Sequence, residues 1–312
     1  MIRARRFIAP VAALLLALTF APAATKQLRI NVANFSFTPS LATLNQGDHA
    51  VFIWTGGTHS ALSGDGFTPD GIFSSGSFGT SQTFSWKTDR IGSVPYYCGF
   101  HGAGMAGTLS LVASGASASL SDFRITEVRY NVAGNADLVE ITNLGATGDL
   151  GMYRLKISGQ SLRTLQVGTS TNLNVAAGGK VVIHVGESGT STATDLFLAL
   201  AAGLPDGAGS VALYAPNTQV TALTDATQIL DYVAWGSGGQ ENEATAASAT
   251  LWTAGTAAGA VAAGSSLEFC GQSGQYGSAR WYENPSPNFG GADNCLTPAA
   301  PTTWGRIKTL YR

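Results

Sequence analysis

Charged residues are scarce in this chain of 312 residues, where Asp, Glu, Lys and Arg together make up 12%. No basic stripe appears beyond the first two dozen residues, which excludes the electrostatic footprint of a nucleic-acid-binding protein or of one held on an anionic membrane. Convincing helical periodicity is missing as well. The 39 glycines, with abundant Ser, Thr and Ala, separate short apolar stretches. This pattern predicts an all-β protein with many turns.

The beginning of the chain predicts a secretory signal peptide over residues 1–24. Three arginines precede an almost unbroken apolar run, Ile8–Phe20, and the small residues of Ala21-Pro22-Ala23 suit cleavage. The run is short for a membrane span, and its apolarity favours the general secretory route, although Arg5-Arg6 also fits twin-arginine export. Removing three of the 17 basic residues leaves 14 against 19 acidic ones, a net charge of −5. We therefore expect an exported protein, periplasmic or extracellular, with no membrane span after cleavage.

Cysteine is rare, and three is an odd number for an exported chain. Cys270 and Cys295 lie near each other towards the C-terminus and suit a disulfide in an oxidising compartment. Cys98 is then left over. A free exported thiol is a liability unless something occupies it, so Cys98 points to a bound metal.

The mature chain divides into two strand-rich regions. Residues 27–113 open with alternating apolar and polar side chains and form a first domain. Residues 114–121, rich in Ala, Ser and Gly, have linker composition. Residues 122–295 form a second domain, and residues 296–312 a Pro/Thr-rich tail with a short basic amphipathic end. Because the linker is short and the regions share no chemistry, each domain is expected to fold alone.

Within the two domains, short strands alternate with turns. Two stretches have little strand patterning. Residues 64–80 are a Gly/Ser-rich excursion, and residues 236–264, rich in Ala, Gly and Thr, are predicted as long loops around at most one strand. The clearest strand candidates in the second domain are Arg124–Tyr130, Leu138–Thr142, Lys180–Val185, Ser210–Tyr214 and Gln228–Ala234.

Four side chains of the first domain carry metal-binding chemistry. Cys98, His101 and Met105 come from one loop before the closing strand, and His59 follows an upstream strand in a turn-rich segment. A thiolate, two imidazoles and a weak axial thioether are the donors of a blue-copper electron-transfer centre. We therefore predict one copper ion, cycling between Cu(I) and Cu(II), held by these four side chains.

Other readings of the polar residues fit less well. Methionine is not a usual zinc ligand, a binuclear copper site needs a second nearby cysteine, and a multicopper oxidase needs His-x-His pairs, which are lacking. His49 and His184 stand alone in strand-like segments and are expected to be surface or hydrogen-bonded residues. Glu140 and Asp231 in the second domain are expected to be solvated acids rather than a catalytic pair. We therefore expect no enzyme.

One family shares a series of positions with residues 27–113. They are Phe35-x-Phe37-x-Pro39, Gly47-Asp48, Trp54, His59, Tyr97-Cys98, His101, Met105 and Gly107. Through them this region resembles the plastocyanin/azurin (cupredoxin) family. The resemblance implies a small Greek-key β-sandwich that carries one electron on one copper ion.

Three features depart from that family. Phe100 stands where many members have proline, and Ser60 stands where asparagine is common. Three residues separate His101 from Met105, where plastocyanins usually have four. These departures concern the reduction potential and the axial bond rather than copper binding itself, because the surroundings of the ligands tune both.

Small residues follow the second copper-binding histidine. We expect the ring edge of His101 to be the port through which electrons pass to an unidentified redox protein, across a weak, small interface. The glycines suit the turn alone equally well. The residues assigned to this port or to the surroundings of the ligands are Ser60, Gly99, Gly102, Ala103 and Gly104.

A second series of motifs lies in residues 118–291. The motifs are Ile125–Asn131, Val139–Asn143, Asp149-Leu150 with Leu155, Asp231–Gly236, Ser266–Glu268 and Asn284–Asn288. In this order they resemble the lamin-tail domain, an immunoglobulin-like β-sandwich attached to many exported bacterial proteins, although Tyr153 stands near where tryptophan is usual. The resemblance implies binding or anchoring, to a cell surface or a polymer, and no catalysis.

The leading interpretation is an exported one-electron carrier with an accessory lamin-tail domain. A copper scavenger without redox turnover and a cell-surface interaction protein are the alternatives. A scavenger would more often show several Met- or His-rich motifs, and the sequence has none. In the tail, Trp304, Ile307 and Leu310-Tyr311 have helical spacing beside basic residues, which suits a sorting or docking element as well as a plain terminus.

Overall fold

The structure, a computed structural model, describes residues 26–65, 68–80, 82–113, 120–134 and 136–295. The predicted signal peptide, most of the predicted linker and the predicted tail lie outside these residues. Among the described residues, no helix is long and apolar enough to cross a membrane. The described chain is almost entirely β, which confirms the predicted fold class.

The first region is a sandwich of two sheets around one core. Its strands in the described residues are β1 (Gln27–Ala33), β2 (Ser36–Thr38), β3 (Leu41–Asn45), β4 (His49–Trp54), β5 (His59–Asp65), β6 (Thr68–Phe78), β7 (Thr83–Lys87), β8 (Gly92–Cys98) and β9 (Gly102–Val112). One sheet has the order β2-β1-β4-β7 and the other the order β3-β9-β8-β5-β6. Alternate residues of each strand meet in the core, among them Ile30, Phe52, Trp54, Tyr96 and Leu109.

The second region is also a sandwich. Its strands and its α-helix in the described residues are β10 (Phe123–Arg129), β11 (Asp137–Asn143), β12 (Gly148–Asp149), β13 (Arg154–Ile157), β14 (Arg163–Thr164), β15 (Asn174–Val175), β16 (Lys180–Val185), β17 (Asp195–Leu198), β18 (Gly209–Tyr214), β19 (Ile229–Trp235), α1 (Glu243–Ser248), β20 (Ser266–Phe269) and β21 (Trp281–Asn284). Two short 3-10 helices cover Val220–Ala222 and Ser278–Arg280. A six-stranded sheet, β17-β16-β11-β10-β20-β21, packs on a four-stranded sheet, β14-β13-β18-β19. The predicted disulfide joins Cys270 to Cys295, with Cα atoms 5.3 Å apart.

The structure shows an element in each of the two weakly patterned stretches that the sequence did not predict. Residues 68–78 form β6, which pairs antiparallel with β5, and the pairing contains two register shifts. The partner strand satisfies the backbone of β6, so its own sequence needs no strong apolar alternation. In residues 236–264, six residues form the helix α1, whose alanine-rich sequence favours a helix once tertiary contacts support it.

The outer face of the sheet β2-β1-β4-β7 is covered. In β4, Phe52 and Trp54 point into the core of the first sandwich. The alternate residues His49, Val51 and Ile53 point away from that core, yet each is at most 3% exposed. A residue on the outer face of a sheet is buried to this degree only when another part of the molecule packs against it.

The second sandwich supplies the cover. Neighbours of those outward residues on β1 and β7 contact it directly. Arg29 forms an ion pair of 2.7 Å with Asp149, and the hydroxyl of Tyr153 donates to Gln27 Oε1 at 2.7 Å. Thr83 Oγ1 accepts a hydrogen bond from the Asn217 side chain at 2.8 Å. The two sandwiches therefore meet on the sheet that does not carry the predicted copper ligands.

The end of the predicted linker belongs to the first sandwich. Leu120 is buried among the core residues of that sandwich. The carbonyl oxygen of Ser121 accepts a hydrogen bond of 3.1 Å from the backbone N–H of Gln27. The chain thus returns alongside the start of β1 before β10 begins.

Candidate metal centre

Three of the four predicted ligands meet at one end of the first sandwich. His59 Nδ1 lies 3.8 Å from Cys98 Sγ, and His101 Nδ1 lies 3.3 Å from it. The candidate donor atoms of the three residues all lie within 4.8 Å of one another. Cys98 is fully buried and makes no disulfide, and His59 is buried, whereas His101 is partly exposed.

Local contacts fix the position of His59. The indole N–H of Trp54 donates to the His59 carbonyl oxygen at 3.0 Å inside the protein. In the preceding turn, Gly57 has a φ of +70°, and a Cβ atom there would lie 2.7 Å from His59 Nε2. Glycine is therefore required both by the backbone conformation and by the close approach of the imidazole.

Met105 reaches the same end of the sandwich through an irregular strand pair. In the pairing of β8 with β9, Tyr97 lies opposite Ala106, while Cys98 lies opposite Gly102. Residues 103–105 are thus extra on β9 and form a bulge beside the cysteine. Met105 is buried in the same core cluster as Cys98. Its role as the axial ligand remains a prediction.

Ser60 links the two segments that carry the ligands. Its backbone N–H points at Cys98 Sγ, 3.5 Å away, and its Oγ accepts a hydrogen bond of 2.8 Å from the N–H of Gly99. A donor aimed at the sulfur stabilises a thiolate and withdraws charge from it. This placement suits the predicted tuning role of Ser60 and Gly99.

The surface around His101 is only partly made of small residues. Ala103 and Gly104 are exposed, but Gly102 is buried. Two aromatic rings that were not predicted to lie here flank the imidazole: Phe35 is 65% exposed with its ring centroid 4.4 Å from that of His101, and Phe100 is 58% exposed at 6.4 Å.

Phe35 lies in the turn between β1 and β2, far from the histidines in sequence. Both Asn34 and Phe35 have positive φ values, 49° and 60°, which turn the phenyl ring towards the imidazoles. One feature of the sequence could have indicated this position. Asn34 is followed by a large apolar residue in a turn between two strands, where a core residue is not expected.

The protonation state of His59 suits metal binding. Burial, followed by the repulsion of nearby His101, lowers the pKa of His59 below its ordinary value. Its imidazole is therefore neutral at neutral pH and retains a lone pair for a metal.

The other two histidines lie outside this centre. His49 is buried, with Nδ1 2.9 Å from Ser85 Oγ. His184 stacks on Phe197, with ring centroids 4.2 Å apart, and its Nδ1 lies 3.0 Å from Glu187. Both are held by hydrogen bonds, as predicted, although His49 is in the interior rather than at the surface.

The acids considered as a catalytic pair are engaged separately. Glu140 is fully buried and forms an ion pair of 2.7 Å with Lys180. Asp231 forms one of 3.0 Å with Arg124, also inside the protein. The prediction of solvated acids was wrong, because adjacent structure supplies a cation for each of them, and no general base is left free in this pair.

The donor set fits copper. The buried Cys98 side chain has two imidazole nitrogens beside it, and a soft thiolate with imidazole is a combination that copper prefers.

Solved structures that match the chain are cupredoxins. A purple cupredoxin from Nitrosopumilus maritimus is 19% identical and covers 27% of this chain and 98% of that chain, with a TM-score of 0.25. A mutant amicyanin in its reduced state is 17% identical over 27% of this chain and 81% of that chain, with a TM-score of 0.25. A mutant plastocyanin of fern is 22% identical over 27% and 100%, with a TM-score of 0.23. No family model and no curated protein matches the chain.

Proposed function

We propose that the protein is an exported one-electron carrier with a single blue-copper centre held by His59, Cys98, His101 and Met105. The observation that carries the proposal is the buried thiol of Cys98, with an imidazole Nδ1 at 3.3 Å and another at 3.8 Å. The strands β5 and β8 hold these donors close together inside the first sandwich. A site held by the fold requires little rearrangement, which is the property an electron carrier needs.

Copper bound there supplies a one-electron couple between Cu(I) and Cu(II). The protein's own residues hold the donors in place: β8 fixes Cys98, the indole of Trp54 fixes His59, and the bulge in β9 places Met105 in the core. His101, partly exposed, provides the path to the surface. Its aromatic and small neighbours carry no charge, so we infer a weak, largely apolar contact with a redox partner.

The second sandwich is proposed as an accessory lamin-tail-like domain that binds or anchors. Its interior acids are paired with Lys180 and Arg124, which supports a structural use of them. Export is proposed from the predicted signal peptide, and the disulfide between Cys270 and Cys295 suits an oxidising compartment.

Voltammetry of the copper-loaded protein tests the carrier function against the scavenger alternative. A carrier gives a reversible one-electron wave whose two peaks persist at fast scan rates, because the site changes little on reduction. The Cys98→Ser variant serves as the control and should lose the wave. Copper bound tightly in one oxidation state, with no reversible wave, would identify a scavenger.

A further inference from the structure

The strand β7 is an edge strand of the first sandwich, and two side chains of the second sandwich, Asn217 and Gln228, contact it. It ends the sheet order β2-β1-β4-β7 and has β4 on one side. Flanking bonds define the pairing: Trp54 N–H donates to Gln82 O at 2.9 Å, and Thr88 N–H donates to Asp48 O at 2.8 Å. In an antiparallel pair, residues two apart repeat the same pattern. The backbones of Phe84 and Trp86 therefore bond to β4.

The alternate residues present their backbone groups to the other side. Thr83, Ser85 and Lys87 stand in the non-hydrogen-bonded positions opposite β4. Within the described part of the chain, their outward N–H groups meet no backbone acceptor. Gln228 Nε2 lies 3.5 Å from the Ser85 carbonyl oxygen, a long contact. Three donors thus repeat every second residue along a strand that spans ~17 Å.

A cavity of about 650 Å³ runs along this edge between the two sandwiches. Its first wall is β7 with residues 72–74 of β6, and its second wall is residues 216–219 with Ala222, Asp225 and residues 227–228. Clefts of this size at domain interfaces are preferred ligand sites. The cavity has room beside the edge for an added segment of chain.

Lys87 gives the cleft an unpaired positive charge. No ion pair or hydrogen bond of its ammonium group occurs among the residues that the structure describes, and burial lowers its pKa below the ordinary value. The two acids that line the cleft are already engaged: Asp89 pairs with Arg90 at 2.7 Å, and Asp225 accepts two hydrogen bonds from Thr227.

We propose that this cleft binds an extended acidic peptide segment of a partner protein, which adds a strand to β7 and places a carboxylate beside Lys87. Outward donors at two-residue spacing match the carbonyl groups of an extended peptide. The ammonium group of Lys87 favours a peptide that carries a negatively charged side chain beside it. Residues 296–312 suit this role poorly, because they contain three basic side chains, Arg306, Lys308 and Arg312, and no acidic side chain.

The test uses the full mature chain and two capped peptides, Ac-Thr-Val-Thr-Glu-Thr-Val-Thr-amide and its analogue with Lys in place of Glu. Amide NMR titration gives each Kd. The Glu peptide should bind about tenfold tighter, and Lys87→Gln should remove that preference. On binding, the amides of Thr83, Ser85 and Lys87 should become protected from exchange, while those of Phe84 and Trp86 are protected throughout.

Two matched variants isolate the backbone contact. Ser85→Pro removes one outward N–H without touching the ladder to β4, and edge strands tolerate proline there. Ser85→Ala loses the same hydroxyl but keeps the N–H. Affinity should fall about fivefold in Ser85→Pro relative to Ser85→Ala.

Three results would overturn the proposal: binding of neither peptide, equal binding by both Ser85 variants, or unchanged exchange at the three outward amides. If Ser85→Pro does not fold, the exchange measurement decides alone. Protection of the three amides in the free full chain that disappears on truncation after Cys295 would assign the edge to the tail, against the proposal.

Discussion

At the scale of single residues, Met105 is expected to tune the reduction potential of the copper ion, whereas the other three ligands hold the ion. Met105 is buried in the same core cluster as Cys98, and a thioether is a weak ligand. Met105→Leu conserves volume, so copper should stay bound through the three strong donors. Loss of the sulfur removes electron donation to Cu(II), and the reduction potential should rise.

Voltammetry and metal analysis measure these two effects of Met105→Leu. The control is Met152→Leu, which replaces a methionine of the second sandwich and should leave the potential unchanged. Complete loss of copper from Met105→Leu would show that the thioether is a strong ligand and that the donor set has been misassigned.

Gly57 offers a way to disturb a ligand without replacing it. The Cβ atom of Gly57→Ala would lie 2.7 Å from His59 Nε2 in a backbone with φ of +70°. Gly76→Ala is the matched control, because Gly76 has φ of +72° and open space around its Cβ position. Both variants carry the left-handed strain, ~1–2 kcal/mol, so both should melt earlier.

The two glycine variants should differ in copper affinity. Gly57→Ala displaces the His59 ring and should release copper to a chelator faster than Gly76→Ala does. Equal chelator release rates would mean that the ring has room to move and that Gly57 serves the turn alone.

At the scale of elements, the sequence predicted strands well where apolar residues run without interruption. The strand Lys180–Val185 was predicted with the bounds that the structure shows. The eleven residues of β6 were not, because their pairing to β5 depends on a partner that sequence periodicity does not reveal. The ligands from one loop were recognisable by spacing. Phe35 was not, because only the pairing of distant strands brings its turn to His101.

The strand β4 contains an acid-sensitive residue. Burial, followed by the charge of Lys87, lowers the pKa of His49 to about 3, and its Nε2 has no hydrogen-bond partner among the described residues. An unfolded histidine titrates near ~6.5. The unfolded state therefore binds the extra proton between those values, and stability is lost as pH falls from about 6.5 towards 3.

Chemical denaturation of the metal-free protein at several pH values measures this loss. In His49→Gln, the free energy of unfolding should fall less between about pH 6.5 and 3 than in wild type, by on the order of 5 kcal/mol. The comparison with wild type isolates the contribution of His49. Identical slopes in the two proteins would mean that burial does not lower the pKa of His49 in the folded state.

At the scale of the whole molecule, the interface between the sandwiches and the metal centre lie on different sheets. The contacts of Arg29 and Thr83 with the second sandwich lie on the sheet β2-β1-β4-β7, whereas the ligands come from the other sheet. A fragment of residues 26–121 should therefore bind one copper with the spectrum and potential of the full chain. The fragment of residues 121–295 should bind none.

Unlike copper binding, the thermal stability of the first sandwich should depend on the second sandwich. The fragment of residues 26–121 exposes Val51 and Ile53, which the second sandwich buries in the full chain. Burial of such side chains contributes ~1.5–3 kcal/mol each, so the fragment should melt at a lower temperature. A changed potential in this fragment would place the second sandwich close to His101 and refute the separation of the two sites.

The visible absorption spectrum of the protein loaded with Cu(II) shows whether the Cys98 thiolate binds the copper ion. A copper ion bound by the Cys98 thiolate and two imidazoles gives an intense colour through thiolate-to-copper charge transfer. Wild type should show this colour, and Cys98→Ser, which replaces the thiol by a smaller hydroxyl and cannot form a thiolate, should lose it. Stoichiometric Cu(II) binding with only a pale spectrum in wild type, or a colour that survives in Cys98→Ser, would contradict the blue-copper assignment.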